Sequence, residues 1–120
     1  MLKKIFNLIK NAFVMNYENL DAVAFKEKIE NTGDAVIIDV RSEAELADGS
    51  IPGYTMINMF SPDFATRIED LDRNKSYFVY CRSGNRSGSA CNFMASKGFD
   101  KVYNLSGGIG AWNHLMKQSV

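Results

Sequence analysis

The stretch VYCRSGNRSGSAC, Val79 to Cys91, decides how this chain is read. An apolar run ends on a thiol, a polar stretch with one glycine follows, and small residues then lead into a helical pattern. That switch is the mark of a strand feeding a helix. In open α/β sheets, functional groups gather beyond the carboxyl ends of the strands, where such junctions lie. Cys81 therefore ends a strand at the functional edge, and Ser87 falls near the start of the next helix.

The residues between them suit an anion. A compact loop can turn several backbone N–H groups toward one centre at a helix N-terminus, which makes a nest for negative charge. Gly84 permits a backbone conformation that a bulkier residue resists. Arg82 and Arg86 add formal positive charge. Together these features favour a thiolate and lower the pKa of Cys81. The loop Arg82, Ser83, Gly84, Asn85, Arg86, Ser87 is thus built to cradle a sulfur anion or a negatively charged sulfur adduct.

Working outward, strand and helix signals alternate. Tyr17–Leu20 reads as a short edge strand, and Asp21 as the cap of a helix through Asn31 that carries Phe25 and Ile29 one turn apart. After the turn NTGD comes AVIIDV, a β-branched run of the kind buried on both faces. SEAELADG reads as one or two helical turns stopped by Gly49, and Tyr54–Asn58 as a strand. Ser61 is expected to cap a helix with Pro62 at its first position, continuing through Ile68 and Leu71. SYFVYC is the next strand, Ser87 to Lys97 a helix ended by Gly98, KVYNL a strand, and GGIGAWNHLMK opens the last helix. Strands separated by helices imply right-handed crossovers. The expected fold is α/β, a three-layer αβα sandwich around a mostly parallel sheet of about five strands.

Composition narrows the function. The chain has 120 residues, 46% hydrophobic and 23% charged, which suits one soluble domain with a real core. Its formal net charge is zero, so no general field favours nucleic acid or an acidic membrane, and no nucleic-acid partner is expected. Two cysteines without a paired framework fit a reducing, cytoplasmic setting. Neither a CxxC nor a His/Cys cluster suggests a metal, and no cofactor is expected.

Residues 1–14 read as an N-terminal extension and 15–120 as the domain. In the extension Leu2, Ile5, Phe6, Ile9 and Phe13 recur at helical spacing with Lys3 and Lys10 elsewhere on the wheel. Such a helix packs on the domain or on another chain; the sharper alternative is membrane contact, since the pattern is basic and amphipathic. The segment is too short and too charged to span a bilayer.

Four stretches in order resemble the single-domain rhodaneses, a sulfurtransferase family whose active-site loop begins with the catalytic cysteine. CRSGNRS is similar to that loop, IIDVRSEAELADGSIPG to the family's Asp-x-Arg motif and Ile-Pro-Gly turn, and KGFDKVYNLSGGIGAW to its Gly-Gly turn and Ala-Trp. The likeness covers about Asn16 to Leu115. In one departure, Ser50 stands where the family usually carries a histidine. The resemblance implies double displacement through a persulfide on Cys81. The partners it implies are a small sulfur-donor anion and an acceptor thiol, either on a small molecule or on a thioredoxin-like or sulfur-relay protein. It also assigns support around the loop to Asp39, Arg41, Glu45, Gly107 and Gly108, with Glu45 expected to partner an arginine such as Arg41.

Two other readings stand beside this one. The chain is alternatively a sulfur carrier that docks on a partner enzyme and turns over few small molecules. A cysteine-dependent phosphatase or arsenate reductase uses a similar cradle, but there the cysteine and arginine lie one residue further apart than Cys81 and Arg86. The remaining candidates read as structure: Cys91 as a small buried residue ten positions past Cys81, Trp112 as core, and His114 as a packed or surface histidine.

Overall fold

The computed structural model describes residues 16–118. The expectation of an amphipathic helix over 1–14 lies outside the described residues. In chain order the elements are β1 (Glu18–Leu20), α1 (Ala22–Glu30), β2 (Ala35–Asp39), a 3-10 helix (Glu43–Asp48), β3 (Tyr54–Met56), α2 (Phe64–Glu69), β4 (Ser76–Tyr80), α3 (Asn85–Ser96), β5 (Val102–Leu105) and α4 (Gly108–Gln118). The strands form one sheet in the order β1-β5-β4-β2-β3, and every pairing is parallel.

Strand β4 is central and buried along its whole length, so its side chains serve two cores. Tyr77, Val79 and, just past its end, Cys81 join Phe64 and Ile68 of α2 and Ala90, Cys91 and Met94 of α3. Phe78 and Tyr80 join Ala22 and Phe25 of α1 and Ile109 and Trp112 of α4. This is the period-two alternation of a strand set between two helical layers. Phe78 anchors the second core, edge-on to Phe25 at 5.4 Å between ring centres and stacked on Tyr103 at 4.9 Å. Truncating so buried a ring to alanine costs about 3–5 kcal/mol.

The local signals held at most boundaries. The Asp21 carboxylate accepts the Ala24 N–H at 2.9 Å and caps α1, and Gly49, at φ 100°, stops the 3-10 helix. Several boundaries differ from the sequence reading: α3 starts at Asn85, two residues before Ser87, and α2 stops at Glu69, short of Leu71. Helix α2 begins at Phe64 with Asp63 as its cap residue, because Ser61 instead closes a turn in which its carbonyl accepts the Phe64 N–H at 3.1 Å. Strand β3 ends at Met56, but Ile57 N–H still donates to the Asp39 carbonyl at 2.9 Å and Met59 N–H to that of Val40 at 3.0 Å.

The carboxyl end of β2 is stiffened by a buried ion pair. Arg41 and Asp39, both fully buried, meet through Nη2–Oδ2 at 2.8 Å and Nε–Oδ1 at 3.0 Å. The same guanidinium donates to the backbone carbonyls of Glu45 at 3.1 Å and Gly49 at 2.7 Å, which fastens the 3-10 helix to the sheet. Removing one partner from such a pair costs about 3–5 kcal/mol, because the other charge stays buried and unpaired. Ile51 N–H donates to the Tyr80 hydroxyl at 3.1 Å and ties the Ile-Pro-Gly turn to β4.

Candidate active site

The sheet order decides what surrounds Cys81. Because β4 lies between β2 and β5, the loop after it is flanked by the turn following β2 and by the end of β5. Cys81 is fully buried. Its Sγ receives the Gly84 N–H at 3.1 Å, the Ser87 N–H at 3.3 Å and the Ser87 hydroxyl at 3.2 Å. Burial alone would push the thiol up. The Ser87 hydroxyl and amide, then the amides of Gly84 and Ser83, outweigh it, so the pKa lies below the ordinary cysteine value. Cys91 shares the core but has no such donors among the described residues. Burial, with the nearby Cys81 charge, drives its pKa far up, and it stays a neutral thiol.

Two glycines make this curl feasible. Gly84, at φ 102°, is the cap of α3, in a region that L side chains rarely adopt. Gly108 lets α4 approach, since a Cβ there would lie 2.1 Å from the Arg82 carbonyl oxygen. The Ile109 N–H in the first turn of α4 reaches the Cys81 carbonyl at 2.9 Å. Gly107 forms the turn leading into that contact, also at positive φ.

The two arginines of the loop part company. Arg82 is exposed, with no hydrogen bond or ion pair to any other described residue. Arg86 is held by Glu45 in a forked pair, Nη1–Oε2 at 2.9 Å and Nη2–Oε1 at 2.6 Å. Glu45 does partner an arginine, but Arg86 in place of the suggested Arg41: Arg41 uses Glu45's backbone carbonyl, while the carboxylate faces the loop. Arg86, with help from the Ser42 N–H, holds the Glu45 carboxyl at about 2. Ser83 and Asn85 expose their side chains on the same loop. Asp39 acts on Arg41 and on the Arg41 N–H, at 2.9 Å.

One contact escaped the sequence reading. Asn104 of β5 is 4% exposed, and its Nδ2 donates to the Gly84 carbonyl at 3.1 Å. Its only signal was a polar residue inside the otherwise apolar run VYNL. His114 is exposed on α4 with its ring beside Gln118. Among the described residues no group of three or more His, Cys, Asp or Glu side chains could hold a metal ion, and no helix is long and apolar enough to cross a membrane.

Comparison with known proteins adds an independent line. Residues 21–115 match the Rhodanese-like domain. The Bacillus subtilis protein YtwF is 40% identical over 98 residues, covering 82% of this chain and 92% of that protein. A sulfurtransferase of Allochromatium vinosum is 33% identical over 93 residues, covering 78% and 85%. Among solved structures, a rhodanese-related protein from Thermoplasma volcanium is 30% identical with a TM-score of 0.71, covering 82% of this chain and 93% of that one.

Proposed function

The chain belongs to the rhodanese-like domain family, and we propose that it moves a sulfane sulfur by way of a persulfide on Cys81. The observation that carries this reading is the convergence of three donors on one buried sulfur. A lowered pKa raises the fraction of Cys81 present as thiolate, the form that acts as nucleophile.

In the first step the Cys81 thiolate attacks the outer sulfur of a donor such as thiosulfate. The donor's S–S bond breaks and its electron pair leaves with sulfite, while Cys81 carries the new S–S bond and a terminal anionic sulfur. In the second step an acceptor, cyanide in an assay or a thiolate on a sulfur-relay partner, attacks that terminal sulfur. The persulfide bond breaks and the electron pair returns to Cys81. The cradle amides stabilise the charge on the adduct as an oxyanion hole does. Exposed Arg82 meets the anionic donor, and Arg86, committed to Glu45, holds the loop in shape.

The test is mass spectrometry after incubation with thiosulfate. The expected result is a gain of one sulfur atom on the peptide carrying Cys81, with thiocyanate formed when cyanide is added and neither product from Cys81→Ser. A wild-type protein that takes no sulfur from thiosulfate or from a persulfide donor overturns the proposal.

A further inference from the structure

Asn104 is an odd residue to find where it stands. It sits in β5 between Tyr103 and Leu105, opposite Val79 of β4 on one side and Asn19 of β1 on the other. An apolar side chain would pack there without leaving a polar atom dry. Instead, Asn104 Oδ1 is buried with no hydrogen-bond partner among the described residues. A buried unsatisfied acceptor is a cost, and such costs persist where another part of the group has a task.

Here the other part is Nδ2, which donates to Asn19 Oδ1 at 2.8 Å and to the Gly84 carbonyl at 3.1 Å. Gly84 needs an anchor. It has no side chain, its φ is 102°, and a Cβ at this position would come within 3.2 Å of the Leu105 carbonyl oxygen. The freedom that lets it adopt this conformation also lets the two peptides that meet at it turn against each other, unless the carbonyl on one side and the N–H on the other are both held. Its N–H is one of the donors on Cys81 Sγ. Its carbonyl accepts from Gly88 N–H at 3.0 Å, in the first turn of α3, and from Asn104 Nδ2. The α3 contact holds Gly84 only relative to its own helix. Asn104 holds it relative to the sheet that carries Cys81.

We propose that Asn104, itself pinned by Asn19, is a positioning residue: by holding the carbonyl on the far side of Gly84 it fixes that residue so that the N–H on its near side, in the peptide shared with Ser83, stays aimed at Cys81 Sγ. It touches neither the sulfur nor a substrate and acts through Gly84 alone. The proposal concerns the cradle and stands apart from which sulfur donor is used.

The test titrates the Cys81 thiolate by its ultraviolet absorbance, each protein measured against the same background carrying Cys81→Ser. Two variants are compared with wild type, Asn104→Leu, which keeps bulk in β5, and Asn19→Ala, a change at an exposed edge-strand position that removes only the pin. Arg82, Arg86 and Cys91, the ionisable groups nearest the Cys81 charge in chain or field, stay in place in both. Asn104→Leu is expected to raise the thiolate midpoint by about half to one pH unit, the scale of one misdirected hydrogen bond. Asn19→Ala should raise it less, in the same direction. If Asn104→Leu does not fold, Asn19→Ala decides. A folded variant with the wild-type midpoint overturns the proposal, even if its melting temperature falls. Persulfide formation is read separately: a raised midpoint in a wild-type background that takes up no sulfur supports the strut and sinks only the sulfur-transfer reading.

Discussion

Arg86 and Glu45, 41 residues apart, meet in a forked ion pair that joins the cysteine loop to the turn after β2. Both side chains are about one-quarter exposed, so the pair is partly shielded from solvent screening. A two-bonded arginine–carboxylate contact also fixes orientation, which a single lysine bond would not.

That pair makes stability depend on acid. A carboxylate whose pKa is lowered by folding adds stability above its unfolded pKa and loses it as pH falls through the folded value. With Glu45 held at about 2, its contribution is complete above roughly pH 5 and fades as the pH falls toward 2. Glu45→Gln should lower stability at neutral pH by about 1 kcal/mol and flatten this acid limb. Urea denaturation at several pH values measures both. An unchanged limb in Glu45→Gln would assign the acid sensitivity to other carboxylates.

Ser87 supplies two of the donors on Cys81, one of them from its side chain. Ser87→Ala keeps the amide and deletes the hydroxyl. The thiolate midpoint should rise by about one pH unit, and sulfur loading at neutral pH should slow several-fold. Because the folded pKa is lowered, the wild-type rate should climb with pH through a midpoint below that of free cysteine and then level off. A pH–rate profile of persulfide formation for both proteins reads the difference.

Arg82 is exposed and engages no other described residue, so its removal should cost little stability. Arg82→Ala should raise the KM for thiosulfate several-fold and leave the melting temperature within error. Added salt should shrink the gap from wild type, since screening weakens attraction to an exposed charge. Steady-state assays at low and high ionic strength provide the check. A gap that persists at high salt argues for a direct contact over steering.

Gly108 sits where any side chain collides with the Arg82 peptide, at 2.1 Å from its oxygen and 2.6 Å from the Ser83 nitrogen. Neither backbone atom can move without disturbing the cradle. Gly108→Ala should cost about 2–4 kcal/mol and raise the thiolate midpoint. Gly110→Ala, one turn-position away with nothing within 4 Å of its Cβ, should do neither. Calorimetry and thiolate titration of the two variants separate a packing clash from a general effect of adding alanine to α4.

Much of this protein was legible before any coordinate. Alternating β-branched runs and helical spacings placed every element, because hydrophobic periodicity and caps such as Asp21 are local properties of the chain. The end of an apolar run at Cys81, with Gly84 close behind, located the cradle for the same reason. The start of α2 was misplaced by two residues because Ser61 and Pro62 serve a turn as readily as a cap. Tertiary structure alone decided the partners. Which arginine takes Glu45, which carbonyl Asn104 holds and what Gly108 must admit depend on β4 lying between β2 and β5. That order brings segments dozens of residues apart to one loop, and no local pattern encodes a contact between side chains that meet only after the sheet has closed around them.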